Sequence, residues 1–236
     1  MNIVPADRFT LAELAELFTR GYEDYYAPVQ LDESSMRHIV DSWSIDLSRS
    51  RVAEGLGLCN LGVRGDVGWI GGIGVVKEHR GEGVGRKLMN AVLEAAPPTV
   101  ELEVIEQNER AIKLYESLGF EQTRLLEVWT LPETPEVEVR PADPAPLGQP
   151  NLPWQRQDES LPADYERLEV DGGAMLIKGG NVLQLQADSI EAATALLSRG
   201  KALSFVNVPE GDVASAALAA MGGAMPFRQL EMRLLR

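Results

Sequence analysis

The sequence VVKEHRGEGVGRKLM, from Val75 to Met89, decides the fold of this chain. An apolar run ends in this stretch, alternating glycines follow, and apolar residues spaced three and four apart then indicate a helix. The first N–H groups of a helix have no partner inside it, glycines let a ligand approach them closely, and the helix dipole adds positive partial charge there. The stretch therefore predicts a strand, a turn and a helix that together bind an anion such as pyrophosphate.

Two common phosphate-binding motifs do not match this stretch. The dinucleotide motif G-x-G-x-x-G fails in both registers, because its third glycine is replaced by Arg86 in one and by Leu88 in the other. A P-loop requires a Lys followed by Ser or Thr, and the residues after the glycines do not supply that pair. The pattern that remains is R-x-x-G-x-G, formed by Arg80, Gly83 and Gly85.

A second informative stretch runs from Asn108 to Phe120 and reads NERAIKLYESLGF. Asn108 can cap a helix, apolar residues fall on one face of it, and Gly119 is a natural C-terminal stop. With the alternating strand before it, the stretch forms the pattern L-x-V-x-x-x-N-x-x-A-I-x-L-Y-E-x-L-G-F. This pattern and R-x-x-G-x-G, in this order, resemble the two signatures of the GNAT superfamily of N-acetyltransferases.

The resemblance implies a mixed α/β fold, the acyl-CoA N-acyltransferase fold of the GNAT superfamily, over residues 1–131. Local signals agree with this fold. Thr10 and Glu13 have the spacing of a capping box before a first helix, and a second helix is expected after Asp32. Between residues 50 and 76, glycine-containing turns separate apolar runs, which indicates antiparallel strands.

Gly71, Gly72 and Gly74 lie inside the third of these strands, where glycine usually weakens pairing. They predict a bulge, or a place where another group lies against the backbone. In the GNAT superfamily this strand separates from its neighbour, and its free backbone groups bind the pantetheine arm of the cofactor. The alternative is a flexible strand end.

The resemblance also implies acetyl-CoA as the cosubstrate and assigns residues to it. The main chain at the end of the third strand is expected to pair with pantetheine and to polarise the acetyl carbonyl. The loop amides are expected to hold the pyrophosphate, with Arg80 at the start of the loop, and Asn108 is expected to hydrogen-bond the cofactor. The expected cofactor-binding residues are Val75, Val76, Lys77, Arg80, Gly81, Gly83, Val84, Gly85, Arg86 and Asn108.

Tyr115 occupies the position that, in many family members, donates a proton to the departing thiolate. Its ordinary pKa near ~10 suits that role, and the alternative is a core aromatic on the apolar face of its helix. The general base is less well defined, because the third strand carries no acidic residue. Glu103 on the next strand is a candidate, as are Glu23 and Asp24.

The loop after the first helix is expected to contact the acceptor substrate, because the corresponding segment lines the acceptor groove in the GNAT superfamily. The candidate residues are Glu23, Asp24, Tyr25 and Tyr26. A structured surface loop without a ligand is the alternative.

Composition limits the possible partners. The formal net charge of −14 argues against binding to nucleic acid, and it mildly favours a cationic substrate. Cys59 is the single cysteine, so an internal disulfide is excluded. The sequence has no apolar run of membrane-spanning length and no signal-peptide pattern, so we expect a cytoplasmic protein without membrane contact. We predict no metal site, and a homodimer is possible.

The second half of the chain predicts a shorter copy of the first. Seven prolines between residues 132 and 153 indicate a linker or a crossing arm. Beyond them, strands and helices repeat the earlier order at an offset of 104 residues, the separation of Leu114 and Leu218. At this offset the glycines of the loop and Tyr115 have no counterparts. The predicted domains are 1–131, an acetyltransferase domain, 132–153, a proline-rich linker, and 154–236, a degenerate GNAT-like domain without the cofactor loop.

These features predict an acetyl-CoA-dependent N-acetyltransferase. It would transfer an acetyl group to a primary amine of a small molecule or peptide by direct attack on the thioester. The missing strand carboxylate leaves an alternative open, a non-catalytic acyl-CoA-binding or regulatory module. The sequence does not define the amine or the length of the acyl chain.

Overall fold

The computed structural model describes residues 1–26 and 29–236 and shows a mixed α/β fold, which confirms the predicted fold class. The chain forms two compact units, each assembled from separate stretches of sequence. The first unit comprises Met1–Glu103, Asn108–Gln122 and Met232–Arg236, and the second comprises Val104–Gln107 and Thr123–Glu231. The domain boundaries given above stay a prediction.

The strands of the first unit form a mixed sheet. They are β1 (Ile3–Pro5), β2 (Arg51–Ala53), β3 (Gly57–Arg64), β4 (Val67–Val75) and β5 (Thr99–Ile105), of which Thr99 to Glu103 lie in this unit. β2 to β4 form the predicted antiparallel meander, β1, which was not predicted, pairs antiparallel with β2, and β4 and β5 are parallel. The last residues of the final strand, Met232 to Leu235, also belong to this unit.

Four α-helices of the described chain belong to the first unit: α1 (Leu11–Gly21), α2 (Glu33–Ser42), α3 (Val84–Leu93) and α4 (Glu109–Glu116). The predicted capping box is present at α1, where Thr10 and Glu13 each accept a backbone N–H from the other. Leu58 on β3 packs in a cluster with α1 and α2, whereas the thiol of its neighbour Cys59 contacts Met89 of α3. Because successive strand residues point to opposite faces, the helices cover both faces of this sheet.

The course of β4 prepares the site described below. Asn60 pairs with Gly72 and Leu61 pairs with Ile70, so Gly71 is an extra residue in β4. This β-bulge confirms one of the two predictions made from the strand glycines. The pairing of β4 with β5 ends at Ile70. Among the described residues, the remainder of β4 therefore pairs with β3 alone.

The second unit contains a mixed sheet and two α-helices in the part of the chain that is described. Its elements are most of β6 (Glu121–Leu131), β7 (Arg140–Ala142), β8 (Glu166–Val170), β9 (Gly173–Lys178), β10 (Asn181–Ala187), α5 (Ile190–Leu197), β11 (Leu203–Pro209), α6 (Val213–Ala220) and most of β12 (Ala224–Leu235). The sheet order is β6-β11-β10-β9-β8-β7, and β10 and β11 are its parallel pair. Helices α5 and α6 bury one core with these strands.

Three elements of the second unit differ from the sequence expectations. β7 lies inside the predicted linker, and its Pro141 is tolerated because β7 is the edge strand beside β8 in the described sheet. β8 was not predicted from the sequence, because it has only two apolar residues: Leu168 and Val170 alternate with Arg167 and Glu169, which form an ion pair of 2.7 Å. The sequence pattern predicts a last strand over 230–235, whereas β12 begins at Ala224.

The end of the chain is tied into the first unit. Arg233 forms an ion pair of 2.7 Å with Glu101 of β5, and the backbone N–H of Arg236 donates to the carbonyl of Pro98 at 2.9 Å. Met232 in the same segment is buried, with 1% of its surface exposed. The unit that contains α3 is therefore completed by the last five residues of the sequence.

We expect Met232→Ala to destabilise the protein and Leu235→Ala to leave it nearly unchanged. Truncating a buried methionine costs about 2–5 kcal/mol, whereas Leu235 is 74% exposed and its truncation should cost under ~0.5 kcal/mol. Scanning calorimetry of both variants measures the difference. Equal melting temperatures for the two variants would contradict the assignment of the chain end to the core of the first unit.

Candidate functional site

The loop between β4 and α3 contains two residues in the left-handed region, Gly81 with φ of 95° and Gly83 with φ of 80°. Gly83 is the N-cap of α3 and offers no side chain to the first amides of that helix. The other five α-helices of the described residues all have side-chain caps, from Thr10, Asp32, Asn108, Ser189 and Asp212. The amides at the start of α3 are thus left for a ligand or for water.

The space around the loop glycines is open. A Cβ atom at Gly83 would have no heavy atom within 4 Å. A Cβ atom at Gly85 would lie 3.8 Å from the side chains of Val75 and Leu114, which is ordinary van der Waals contact. Packing of the fold therefore does not require glycine at position 85, and the turn leaves room for an anion at the helix end.

The guanidinium of Arg80 is directed at backbone carbonyls. Its Nε donates to the carbonyl of Val75 at 2.9 Å, and its Nη2 donates to the carbonyls of Gly21 at 3.1 Å and Glu23 at 2.7 Å. The side chain of the first motif residue thus joins the end of β4 to the segment after α1. The sequence motif predicts Arg80 in the cofactor loop but carries no signal for these partners.

The residues expected at the acceptor side lie next to the loop. The carboxylate of Asp24 forms an ion pair of 2.6 Å with Lys77. The hydrogen bond from Lys77 and the charge of Lys77 hold the pKa of Asp24 below its ordinary value. The same hydrogen bond and the charge of Asp24 raise the pKa of Lys77. Burial raises the pKa of Tyr25, and a hydrogen bond to Asn108 partly offsets this rise. Tyr26 is 55% exposed and packs edge-on against Tyr25.

The end of α1 packs directly on the backbone of β4. A Cβ atom at Gly72 would lie 2.8 Å from the ring of Phe18, and one at Gly74 would lie 3.0 Å from Cα of Gly21. Tyr22 stacks on Phe18 with 4.5 Å between ring centroids. Glycine is therefore required on this face of β4 because α1 packs directly against the strand backbone. This contact is the close approach of another group that the strand glycines predicted.

Tyr115 is buried in the first unit, with 5% of its surface exposed. Burial raises its pKa well above the ordinary value, and the neighbouring groups of Tyr22, Cys59 and Tyr25 raise it further. The phenol therefore keeps its proton across the working range of an enzyme. A protonated phenol can donate a hydrogen bond or a proton, but it cannot act as a base there.

The candidate base Glu103 lies where β4 and β5 separate. It follows Leu102, the last residue of β5 that pairs with β4, and it accepts a hydrogen bond of 2.6 Å from the indole of Trp69. Glu101 lies on the same face of the strand but is held by Arg233. Glu103 therefore has the better position of the two carboxylates, and sequence periodicity did not reveal Trp69 as its partner.

The second unit lacks the loop. Like β4, β10 leaves its parallel neighbour early: the last pair is Val182 with Phe205, and a bulge follows. Only Asp188 then separates β10 from Ser189, whose side chain accepts the N–H of Ala192 and caps α5. The corresponding connection in the first unit runs from residue 76 to residue 82.

Comparisons with known proteins bear on this geometry. The model of the acetyltransferase (GNAT) family matches residues 9–120. Among solved structures, a Pyrococcus horikoshii protein provisionally assigned as an acetyltransferase aligns at 19% identity with a TM-score of 0.73, over 100% of this chain and 89% of that one. A GCN5-related N-acetyltransferase from Sphaerobacter thermophilus aligns at 16% identity with a TM-score of 0.66, over 98% of this chain and 93% of that one.

A tandem GNAT protein from the clavulanic acid biosynthesis pathway aligns with 99% of this chain and 98% of its own, at 14% identity and a TM-score of 0.65. At these identities the structures establish the fold alone. A search of curated proteins gives no match.

Two further observations concern partners. Within residues 1–26 and 29–236, no helix combines the length and apolarity that crossing a membrane requires. The same residues contain no cluster of three His, Cys, Asp or Glu side chains suited to a metal ion. The cytoplasmic location and the homodimer stay predictions.

We expect Gly74→Ala and Gly85→Ala to have opposite effects on stability. A Cβ atom at position 74 would press on Gly21 at 3.0 Å, and such overpacking costs about 1–3 kcal/mol. At position 85 the methyl group has room in a helix, so stability should stay unchanged or rise by up to ~1 kcal/mol. Thermal unfolding of the two variants compares them, and a stable Gly74→Ala protein would contradict the contact between α1 and β4.

Proposed function

Because residues 9–120 match the model of the acetyltransferase (GNAT) family, we propose that the protein is an acetyl-CoA-dependent N-acetyltransferase acting on a primary amine. One observation carries the proposal: the start of α3 has no side-chain cap and follows a strand that has left its parallel neighbour. This combination offers free amides for a pyrophosphate and a free strand edge for an amide-containing arm.

The cofactor would be held mainly by the backbone. The pyrophosphate would bind the amides of the loop and of the first turn of α3, at Gly81, Gly83, Val84, Gly85 and Arg86. The pantetheine arm would pair with the β4 edge that faces away from β3, from the bulge to Lys77. Bound acetyl-CoA supplies an acetyl thioester, whose carbon is the electrophile of the reaction.

Tyr115 would stabilise the sulfur that departs from the thioester. Because burial raises the pKa of Tyr115, the phenol is present as a hydrogen-bond donor throughout the working pH range. A thiol has an ordinary pKa near ~8.5, below that of the buried phenol, so the phenol would donate a hydrogen bond that strengthens as the sulfur gains charge, and the thiolate would take its proton from solvent on release.

Glu103 would accept the proton that the amine loses as its nitrogen attacks the acetyl carbon. Its position at the opening between β4 and β5 supports this role, and the Trp69 indole orients its carboxylate. The carboxylate of Asp24 is engaged by Lys77, and this makes it the weaker candidate. Residues Glu23 to Tyr26 would form one wall of the acceptor site, where acidic and aromatic groups suit a cationic amine.

We further propose that the chain is a tandem protein with an active copy at 1–131 and a degenerate copy at 154–236, joined by the segment 132–153. The short connection between β10 and α5 and the capping hydroxyl of Ser189 support this division. A non-catalytic acyl-CoA-binding module is the alternative, favoured by the absence of a carboxylate on β4.

Gly85→Asp should weaken CoA binding without unfolding the protein, and Gly85→Ala is its matched control. An aspartate in the first turn of a helix stabilises it by about 0.3–1 kcal/mol, but its charge repels a pyrophosphate at the same amides. At an effective dielectric near ~20, that repulsion is of the order of 2–4 kcal/mol, which corresponds to at least about 30-fold in affinity. Titration calorimetry measures the CoA affinity of both variants, and equal affinities would contradict the proposal that these amides bind the pyrophosphate.

Tyr115→Phe should slow acetyl transfer by about 100-fold or more while CoA affinity stays within about threefold of the wild type. Thiol release from acetyl-CoA would be followed with panels of polyamines, aminoglycosides, amino acids, small amines and peptides. Tyr165→Phe, the same chemical change in the second unit, is the control and should be silent. CoA binding without thiol release from any amine would favour the non-catalytic module.

A further inference from the structure

We propose that Arg80 is a positioning residue for the acceptor side of the site, not a phosphate ligand. The inference rests on the proposed function for the identity of the two sides, but its geometry stands independently. The cofactor-side residues Lys77, Arg80 and Asn108 each bind the segment Gly21–Tyr26. That segment is therefore placed by the same residues that border the cofactor.

The end of α1 explains why the residue is an arginine. The last carbonyls of a helix have no partner inside it and carry negative partial charge. Arg80 donates from one guanidinium to the carbonyl of Gly21, the last residue of α1, to that of Glu23 just after the helix, and to that of Val75 on β4. A planar fork with several donors can satisfy these acceptors together, whereas a lysine presents a single ammonium group.

Two further contacts hold the same segment. Asp24 has a left-handed backbone with φ of 59°, which is uncommon for a residue other than glycine, and its ion pair with Lys77 accompanies that conformation. Tyr25 is hydrogen-bonded to Asn108, the cap of α4. Neither contact involves the guanidinium, so both are independent evidence that the segment is tied to the cofactor side.

The consequence is a coupling between the two halves of the reaction. A shift of the β4–α3 loop on cofactor binding would move Lys77 and Arg80, and through them the carbonyls and side chains that face the acceptor. The wall of the acceptor site would therefore reach its working geometry only when the β4–α3 loop has reached its cofactor-bound geometry. Replacing Arg80 should loosen this wall while the backbone cradle for the pyrophosphate stays in place.

Amide hydrogen exchange of the free protein tests the positioning role directly. The N–H groups of Tyr22 and Glu23 donate to carbonyls near the end of α1, and the N–H group of Tyr25 donates to the carbonyl of Tyr22. In Arg80→Ala these amides should exchange at least about tenfold faster, while amides of α3 and β3 keep their protection. Arg80→Lys should fall between, and Lys77→Met should give a smaller increase that spares the end of α1. Arg37→Ala, which removes an exposed ion pair on α2, is the control.

Titration with CoA separates the two roles of Arg80. For a positioning residue, CoA affinity should change by less than about threefold in Arg80→Ala, since the cradle is made of backbone amides. Loss of a charged hydrogen bond to phosphate would instead weaken CoA by about 10- to 100-fold. Such a loss, or unchanged exchange at Tyr22, Glu23 and Tyr25, would overturn the inference. Failure of the wild type to bind CoA would overturn the proposed function but leave the exchange result intact.

Discussion

The separation of β4 from β5 is the constraint on which the first unit depends. Parallel strands normally continue their ladder, yet this one ends at Ile70, directly before the extra residue Gly71. A strand edge without a partner strand must bond to water, side chains or a ligand, because an unmet backbone group away from water is costly. Glu103 lies at the opening and the uncapped start of α3 lies beyond the strand, so the separation brings a free edge, a carboxylate and free amides into one unit.

The second unit also contains a strand that leaves its parallel neighbour, and polar side chains of the same unit lie beside it. β10 leaves β11 after Val182, and the amide of the buried Gln184 then donates to the carbonyl of Arg156 at 2.8 Å. The guanidinium of Arg156 donates to the carbonyl of Asn207 at 2.9 Å and lies over the ring of Phe205 at 4.4 Å. Burial lowers the pKa of Arg156 to about 10, so the cation persists near neutrality. The side chain of Gln149, in the segment 132–153, donates to the carbonyl of Leu185 on β10 at 3.1 Å, so the second unit itself supplies a partner to a backbone group of that strand.

The features that the sequence predicted are those with local causes. The capping box at Thr10, the cap at Asn108 and the bulge among the β4 glycines follow from residue types whose preferences act within a few positions. Strand β8 was missed because its two apolar residues, Leu168 and Val170, lie among charged ones in a segment of five residues. The carbonyls of Gly21 and Glu23 were missed as partners of Arg80 because they lie 59 and 57 residues away. The candidate residues around the loop were predictable from motifs, whereas their mutual contacts required the fold.

A helix start has one set of free amides, and the residue at its N-cap decides what they bind. In α5, Ser189 binds the amide of Ala192 with its own hydroxyl, and the preceding strand reaches that cap after a single residue. In α3, Gly83 supplies no acceptor, and a seven-residue connection keeps the strand end away from the helix. Substituting glycines into the short connection would not recreate a cradle, because the loop that carries Lys77 and Arg80 is missing. The two units therefore differ in the length of this connection before they differ in residue type, and the longer connection carries Lys77 and Arg80, which bind the segment after α1.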